Sequence, residues 1–420
     1  MGRMSRMARE EYLKKVAEAY LKADKKTKGM FLDQCMRNSS MNRKYLIRKL
    51  RGIILGRAPT SKGLRKRGRH YGAEVDRALK TLWEIFDYPC SLRLKSSREQ
   101  ELGRLIAFGE LQVDKETQEK LYKISPSTID RHLRPYKGLI FYHRKGRRGS
   151  KASCLRREVP VRVGRGRGEV GEMEVDMVAF CGSSYMGEFV NVISAVEVCT
   201  GWWEGEGVMG RSQQATHEAL QRMRRRSPFR WKEINTDNDS AFLNHHLKDY
   251  CRRERIAFSR TRPYRKNDHA RVEQKNHTHV RRPFGYLRYD TEEELKLIND
   301  LLENELRLYK NLFQPVIKTI RKEKIGGKIK KIRDIPKTPF QRLIESAEMP
   351  KEEEIHLRSL YNNLNPAELK RKIDKKLDEL YSLYYKKTSR GERTINPHRK
   401  RTPSTVTFLM SNQRLFRLHS

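Results

Sequence analysis

The feature that most limits the fold is a change of texture at Glu172. Before it, and long after it, the chain is charged and helical in pattern. Just past it come three short apolar runs, 173–180, 189–198 and 202–208, rich in Val, Ile, Phe and Trp and divided by Gly-containing turns. Runs of that length joined by short turns are consecutive antiparallel strands. Ser212 can then cap a helix over about 213–225, with Ala215, Ala219, Leu220 and Met223 inward. A strand over 231–236, a helix over 244–253, a short strand over 256–259 and a helix over about 269–281 follow. The order βββαβαβα, hairpins first and right-handed crossovers after, predicts a five-stranded mixed sheet with helices on both faces. Its first and fourth strands lie side by side.

The flanking regions read as helical. From 10 to 50 one apolar face carries Phe31, Leu32, Cys35 and Met36. The polar stretch Asn38-Ser39-Ser40 interrupts it, and Leu46, Ile47 and Leu50 resume it. Arg43, Lys44, Arg48 and Lys49 are left for solvent or phosphate, which makes a helix-turn-helix candidate. A basic connector (Lys62 to Arg69) leads to a helix over 74–86. A second break-and-restart falls at 122–125. There Ser125 can cap, Pro126 suits the first helical position, Ile129 and Leu133 point inward, and Pro135 is expected to stop the helix. Arg131, His132 and Arg134 are then free for DNA. Either motif alone also fits an ordinary helical hairpin with solvated charges; two in succession on so basic a chain favour DNA binding. Ten Lys and Arg between 144 and 167 mark a linker. Beyond Pro283 the pattern is mostly helical, over 292–312 and 366–386, with a basic patch at 318–333 and a basic tail. The expected division is 1–60 helix-turn-helix, 70–140 second helical DNA-binding region, 141–170 linker, 171–284 α/β core, 285–387 helical basic region and 388–420 tail.

Charge names the class of partner. Lys and Arg number 92 against 52 Asp and Glu, a formal net charge of +40 spread along the whole chain, so the natural partner is a polyanion such as DNA or RNA. A charged fraction of 34% leaves no room for a membrane span. Six cysteines without a CxxC or zinc spacing read as reduced core residues, and the first residues lack the apolar stretch of a signal peptide. The expected location is the cytoplasm, on the nucleoid.

Acidic residues supply the candidate chemistry. Asp176 sits in the first strand and Asp237 just past the fourth, so their adjacent ends bring them to one spot. Glu273 falls on the last helix, on a face with Ala270, His277 and Val280 that is expected to pack on the sheet. Carboxylates gathered in a partly apolar place repel one another unless protonated or neutralised. Oxygen-only ligands suit Mg²⁺ or Mn²⁺.

These residues also resemble a known family. Asp176, Thr236-Asp237-Asn238-x-Ser240-x-Phe242 and Pro263-Tyr264-x-Lys266-Asn267-Asp268-x-Ala270-x-Val272-Glu273-Gln274-Lys275-Asn276 are similar to the DDE catalytic core of insertion-sequence transposases and retroviral integrases. Val198-Cys199-Thr200-Gly201-Trp202 is similar to the family's turn between its second and third strands. The resemblance is specific over about 172–283, looser over the helix-turn-helix pair, and general beyond. It implies a ribonuclease-H-like fold whose Asp176, Asp237 and Glu273 hold two Mg²⁺ or Mn²⁺ ions for DNA cleavage and strand transfer. The implied partners are element ends and target DNA, with a homo-oligomer on paired ends. Asn276 and His277 become candidates for touching the scissile phosphate, and Lys275, Arg281, Arg282 and Lys266 for holding the backbone. His277 fits a histidine packed on the sheet equally well. Asp239 departs from the family's usual Gly. Two other readings stay open: a retired, transposase-derived DNA-binding protein, and a ribonuclease-H-like nuclease that cuts without joining.

Overall fold

The computed structural model describes residues 6–39, 41–56, 70–137, 159–162, 169–262, 269–325 and 328–391. The chain divides into two compact units at His70. The connector at 62–69, most of the linker, Lys266 and its loop, and the tail after Gly391 lie outside the described residues.

In the first unit, helices α1 (Arg6–Lys22), α2 (Lys25–Ser39) and α3 (Arg43–Ile54) bury Leu13, Ala17, Leu32, Cys35, Leu46 and Leu50 against one another. The Asn42 side chain accepts from Lys44 N at 3.0 Å and so starts α3 where the polar break was expected. Ile47, expected inward, is exposed.

The second unit opens with α4 (Ala73–Ile85), α5 (Ser91–Ala107), α6 (Lys115–Lys123) and α7 (Pro126–Lys137). Val75, Leu79, Leu82, Trp83 and Phe86 bury as their spacing predicts, and Ser125 Oγ accepts from Thr128 N at 3.2 Å to start α7. Pro135 does not end that helix, which continues to Lys137. Two residues from a helix end, a missing N–H removes one solvent-accessible bond and costs far less than in an interior turn.

The sheet consists of β1 (Glu172–Ala179), β2 (Val190–Glu197), β3 (Trp203–Met209), β4 (Glu233–Thr236) and β5 (Ala257–Arg260), in the order β3-β2-β1-β4-β5. The first three pair antiparallel, while β4 joins β1, and β5 joins β4, in parallel. The crossovers carry α8 (Gln213–Arg226) and α9 (His245–Arg253), and α8 is capped by Ser212. After β5 come α10 (Ala270–Lys275), a wide π-helical turn (Asn276–Arg281) and α11 (Arg282–Phe284), in place of one straight helix. Next is α12 (Glu292–Glu303), held by a capping box of Thr291 and Glu294. Alternation along β3 shows helices on both faces. Arginines of α8 reach Glu204 and Glu206, whereas Asn299 of α12 closes on the backbone of Gly207, where a Cβ would come within 2.8 Å of its oxygen.

The last third departs from the helical expectation. After α13 (Glu305–Leu308) and a second π-helical turn (Tyr309–Phe313), the basic patch forms a two-stranded antiparallel ribbon, β6 (Thr319–Ile325) and β7 (Lys328–Arg333). Helices α14 (Pro339–Ser346), α15 (Lys351–Asn363) and α16 (Pro366–Gly391) follow, the first two unforeseen. This region packs on α4 and α5: Arg104 donates to Tyr361 O at 2.7 Å and Gln314 to Phe86 O at 2.9 Å. Free cysteines are buried at 35, 181 and 251, but Cys90 is exposed, unlike the core position expected for it. No helix among the described residues is long and apolar enough to cross a membrane.

Candidate active site

Strand register brings two aspartates together. Val175 of β1 stands opposite Thr236 of β4 in a parallel pair, so one further step sets Asp176 level with Asp237 across a strand spacing of about 4.8 Å. Asp176 also pairs with Ser194 of β2, whose Oγ accepts from Trp203 Nε1 at 2.9 Å. On that side the turn after α10 packs, with the His279 ring edge-on to Trp203 at 5.1 Å.

The Asp176 carboxylate accepts from Met177 N at 2.8 Å and from Asn276 Nδ2 at 2.7 Å. Burial, then the negative charge of Asp237, Glu273 and Asp239, pushes it up to about 7 against the pull of the Met177 bond. Four carboxylates therefore share one electrostatic neighbourhood. They are not drawn into a single cluster: among the described residues, no three His, Cys, Asp or Glu side chains lie close enough to hold a metal ion. Glu273 is exposed, where the sequence placed it on the packed face. Mutual repulsion of like charges keeps such groups apart unless a cation balances them. The donor set fits a hard divalent ion: three carboxylates, together with the buried Asn276 Oδ1, which has no hydrogen-bond partner.

Asp239 has a structural task. It is buried, pairs with Arg211, and accepts from Ala241 N at 3.0 Å, while its own N–H donates to Asp237 Oδ1 at 3.0 Å. It thus closes the loop after β4 and holds Asp237. Nothing in the sequence pointed to Arg211, which lies in the turn before α8, far from any motif.

The remaining expected contacts divide. Lys275 is buried, its Nζ 3.1 Å from His279 Nε2, and burial first, then the nearby Arg93, Lys310 and Lys318, pushes it down to about 7. Its side chain is turned inward with Val272 and with Asn276 of the turn that follows, while Glu273 and His277 are exposed. Arg281 donates to Ala179 O at 2.8 Å and lies over the Phe180 and Tyr286 rings. Arg282 donates to Asp87 O at 2.9 Å. Both join elements within the fold and stay partly exposed. Of the helix-turn-helix candidates, Lys44, Arg48, Arg131 and Arg134 are exposed. Arg43 is exposed too but pairs with Asp33, and His132 is tied to Asp76. Lys266 lies outside the described residues.

No family model matches the chain. The uncharacterized protein y4rM of Sinorhizobium fredii (strain NBRC 101917 / NGR234) is 35% identical to it over 342 residues, spanning 81% of this chain and 96% of that protein. Among solved structures, the catalytic core domain of BIV integrase is similar at 16% identity, covering 42% of this chain and 95% of that one with a TM-score of 0.29. The simian T-cell lymphotropic virus intasome in complex with PP2A regulatory subunit B56 gamma gives 16%, 50%, 67% and 0.29 in the same terms. The HTLV-2 integrase catalytic core in complex with magnesium gives 18%, 36%, 93% and 0.27. Likeness at these TM-scores decides neither the fold nor the chemistry.

Proposed function

The chain belongs to the family of that Sinorhizobium fredii protein, and we propose that it is a DDE-type polynucleotidyl transferase, the transposase of a mobile element. The observation that carries the reading is Asp176: a half-buried carboxylate, level with Asp237, whose leading charged neighbours are other carboxylates. Such a site is arranged for cations supplied from outside the chain. Asp176, Asp237 and Glu273 are the residues that would hold two Mg²⁺ or Mn²⁺ ions. When bound, these supply Lewis acidity at the attacking and leaving oxygens of an in-line displacement.

The chain's own groups set the geometry. Met177 N and Asn276 Nδ2 fix the Asp176 carboxylate in one orientation, and Asp239 N does the same for Asp237. His277, exposed one turn past Glu273, is proposed to meet the DNA strand. In the first step a water oxygen attacks the phosphorus and the element's 3′-oxygen leaves as a hydroxyl. In the second, that hydroxyl attacks a target phosphorus and displaces the target's 3′-oxygen. Lys44 and Arg48 on α3 and Arg131 and Arg134 on α7 are proposed to meet the element ends.

The test uses duplex DNA from either side of the gene with Mg²⁺ or Mn²⁺, and compares wild type with Glu273→Gln for nicking and joining. Metal-dependent joining lost in the variant is the expected result. Cutting without joining would replace the transposase by a nuclease, and tight binding with neither activity would leave a DNA-binding protein.

A further inference from the structure

We propose that the β6–β7 ribbon is a duplex-DNA-binding arm that lays one face into the groove and against the phosphates. The proposal rests on the transferase reading for the identity of the polymer.

Register assigns the two faces. Lys322 pairs with Lys331, Lys324 with Ile329, and Thr319 with Arg333, so these residues share one side. Arg321 pairs with Ile332, and Glu323 with Lys330, on the other. The first face carries Lys322, Lys324, Lys331 and Arg333 with no acid among them, and all four are exposed. Ile329 lies in their midst, 66% exposed. The only carboxylate on the ribbon, Glu323, is on the opposite face, pairs with Arg321 at 2.7 Å, and is partly covered, as is Ile332.

An isolated two-stranded ribbon is marginal in water, so its root must hold it. Lys318 N donates to Asp334 Oδ1 at 2.7 Å, Asp334 N to Lys318 O at 3.0 Å, and Arg342 to both Asp334 Oδ2 (2.6 Å) and Val316 O (3.0 Å). The arm is thus anchored at its base, while its strands pair with no other strand of the described chain. Charge complementarity selects the occupant. Four cations around one apolar side chain repel a second copy of the same ribbon and attract a polyanion. Two strands about 4.8 Å apart fit a B-form major groove about 12 Å wide, where lysines reach phosphates and an isoleucine can meet a thymine methyl. The deep, narrow major groove of A-form RNA does not admit them.

The experiment uses the full chain with Lys322, Lys324, Lys331 and Arg333 all changed to Gln, and follows binding to a random-sequence duplex between 50 and 200 mM salt. The expected result is about tenfold or more loss of affinity, and a plot of log affinity against log salt less steep by about 3 to 4, one step per lost phosphate contact. Glu323→Gln, on the other face, should leave both unchanged. In case the quadruple variant misfolds, Lys324→Cys in a Cys90→Ser background should crosslink to duplex carrying a thiol tether, and the background alone should not. A wild type that binds duplex while the quadruple variant matches it in affinity and slope overturns the arm and leaves the transferase reading standing. A wild type that binds no duplex at all overturns the reading beneath it. Equal affinity for A-form RNA, lost with the same four charges, overturns the assignment to duplex DNA.

Discussion

The sheet treats Glu204 and Glu206 of β3 and Asp176 of β1 in opposite ways. On β3, Glu204 is fully buried and accepts from Arg226 Nε and Arg307 Nε, both at 2.8 Å, and from Trp202 Nε1. Its neighbour Glu206 accepts from Arg222 at 2.8 Å and Arg226 at 2.6 Å. Two strands away, Asp176 has, among the described residues, an amide side chain and a backbone N–H as its donors, and its leading charged neighbours are acids. Cations are not scarce in a chain with 92 Lys and Arg. A buried carboxylate without one costs several kcal/mol, and the fold meets that need for Glu204 and Glu206. The difference separates charge that holds helices to a sheet from charge kept open for something to bind.

The comparison can be broken most forcefully by activity. Asp176→Asn, Asp237→Asn and Glu273→Gln should each lower nicking and joining on the order of 10³-fold, with DNA affinity little changed; a variant that stays active removes its residue from the site. On the β3 side, Glu204→Gln should cost about 3 kcal/mol, because Arg307 loses its carboxylate partner, while Arg226 keeps Glu206. Thermal melting reads this, and an unmoved midpoint would mean the pairs do no structural work. Saturating Mg²⁺ or Mn²⁺ should stabilise wild type by about 2.7 kcal/mol at a hundredfold excess over the dissociation constant, and should not stabilise Asp176→Asn. The same rise in both proteins would put the ion elsewhere. The smallest effect belongs to Asp239→Gly. It loses the bond to Ala241 N and the Arg211 pair, about 1–2 kcal/mol, and should keep the metal-dependent rise. If that rise vanishes, Asp239 is itself a ligand.

Much of this was legible in the sequence. Val- and Ile-rich runs with Gly-containing turns gave the five strands to within about two residues, and strand order alone brought Asp176 beside Asp237. The β6–β7 ribbon was not seen, because lysines outweigh the Ile320, Ile329 and Ile332 that mark its alternation. The pair Gly326-Gly327 in the sequence was the turn signal available. The face of α10 was misjudged by reading a straight helix through Ala270, Glu273, His277 and Val280. The buried set is Val272, Lys275, Asn276, His279 and Val280. A lysine at 275 looks like a solvent residue, and only a histidine four positions on hints that the two share an interior. The hydrogen bond between Asn276 and Asp176 spans a hundred residues of sequence and leaves no local trace.

The wide turn over Asn276–Arg281 has a consequence for how the helix is phased. Each residue of a regular helix advances its face by about 100°, so a turn that takes in one residue more delays everything after it by that angle. Val272 ahead of the turn is thereby set by the sheet, its N–H donating to Glu174, and Phe284 behind it by the Phe180 ring and by the Tyr289 hydroxyl that donates to its carbonyl. Deleting a single residue there would turn one of the two faces away from its partner. A substitution within the turn, by contrast, can retune Asn276 against Asp176 while both flanking faces keep their seats.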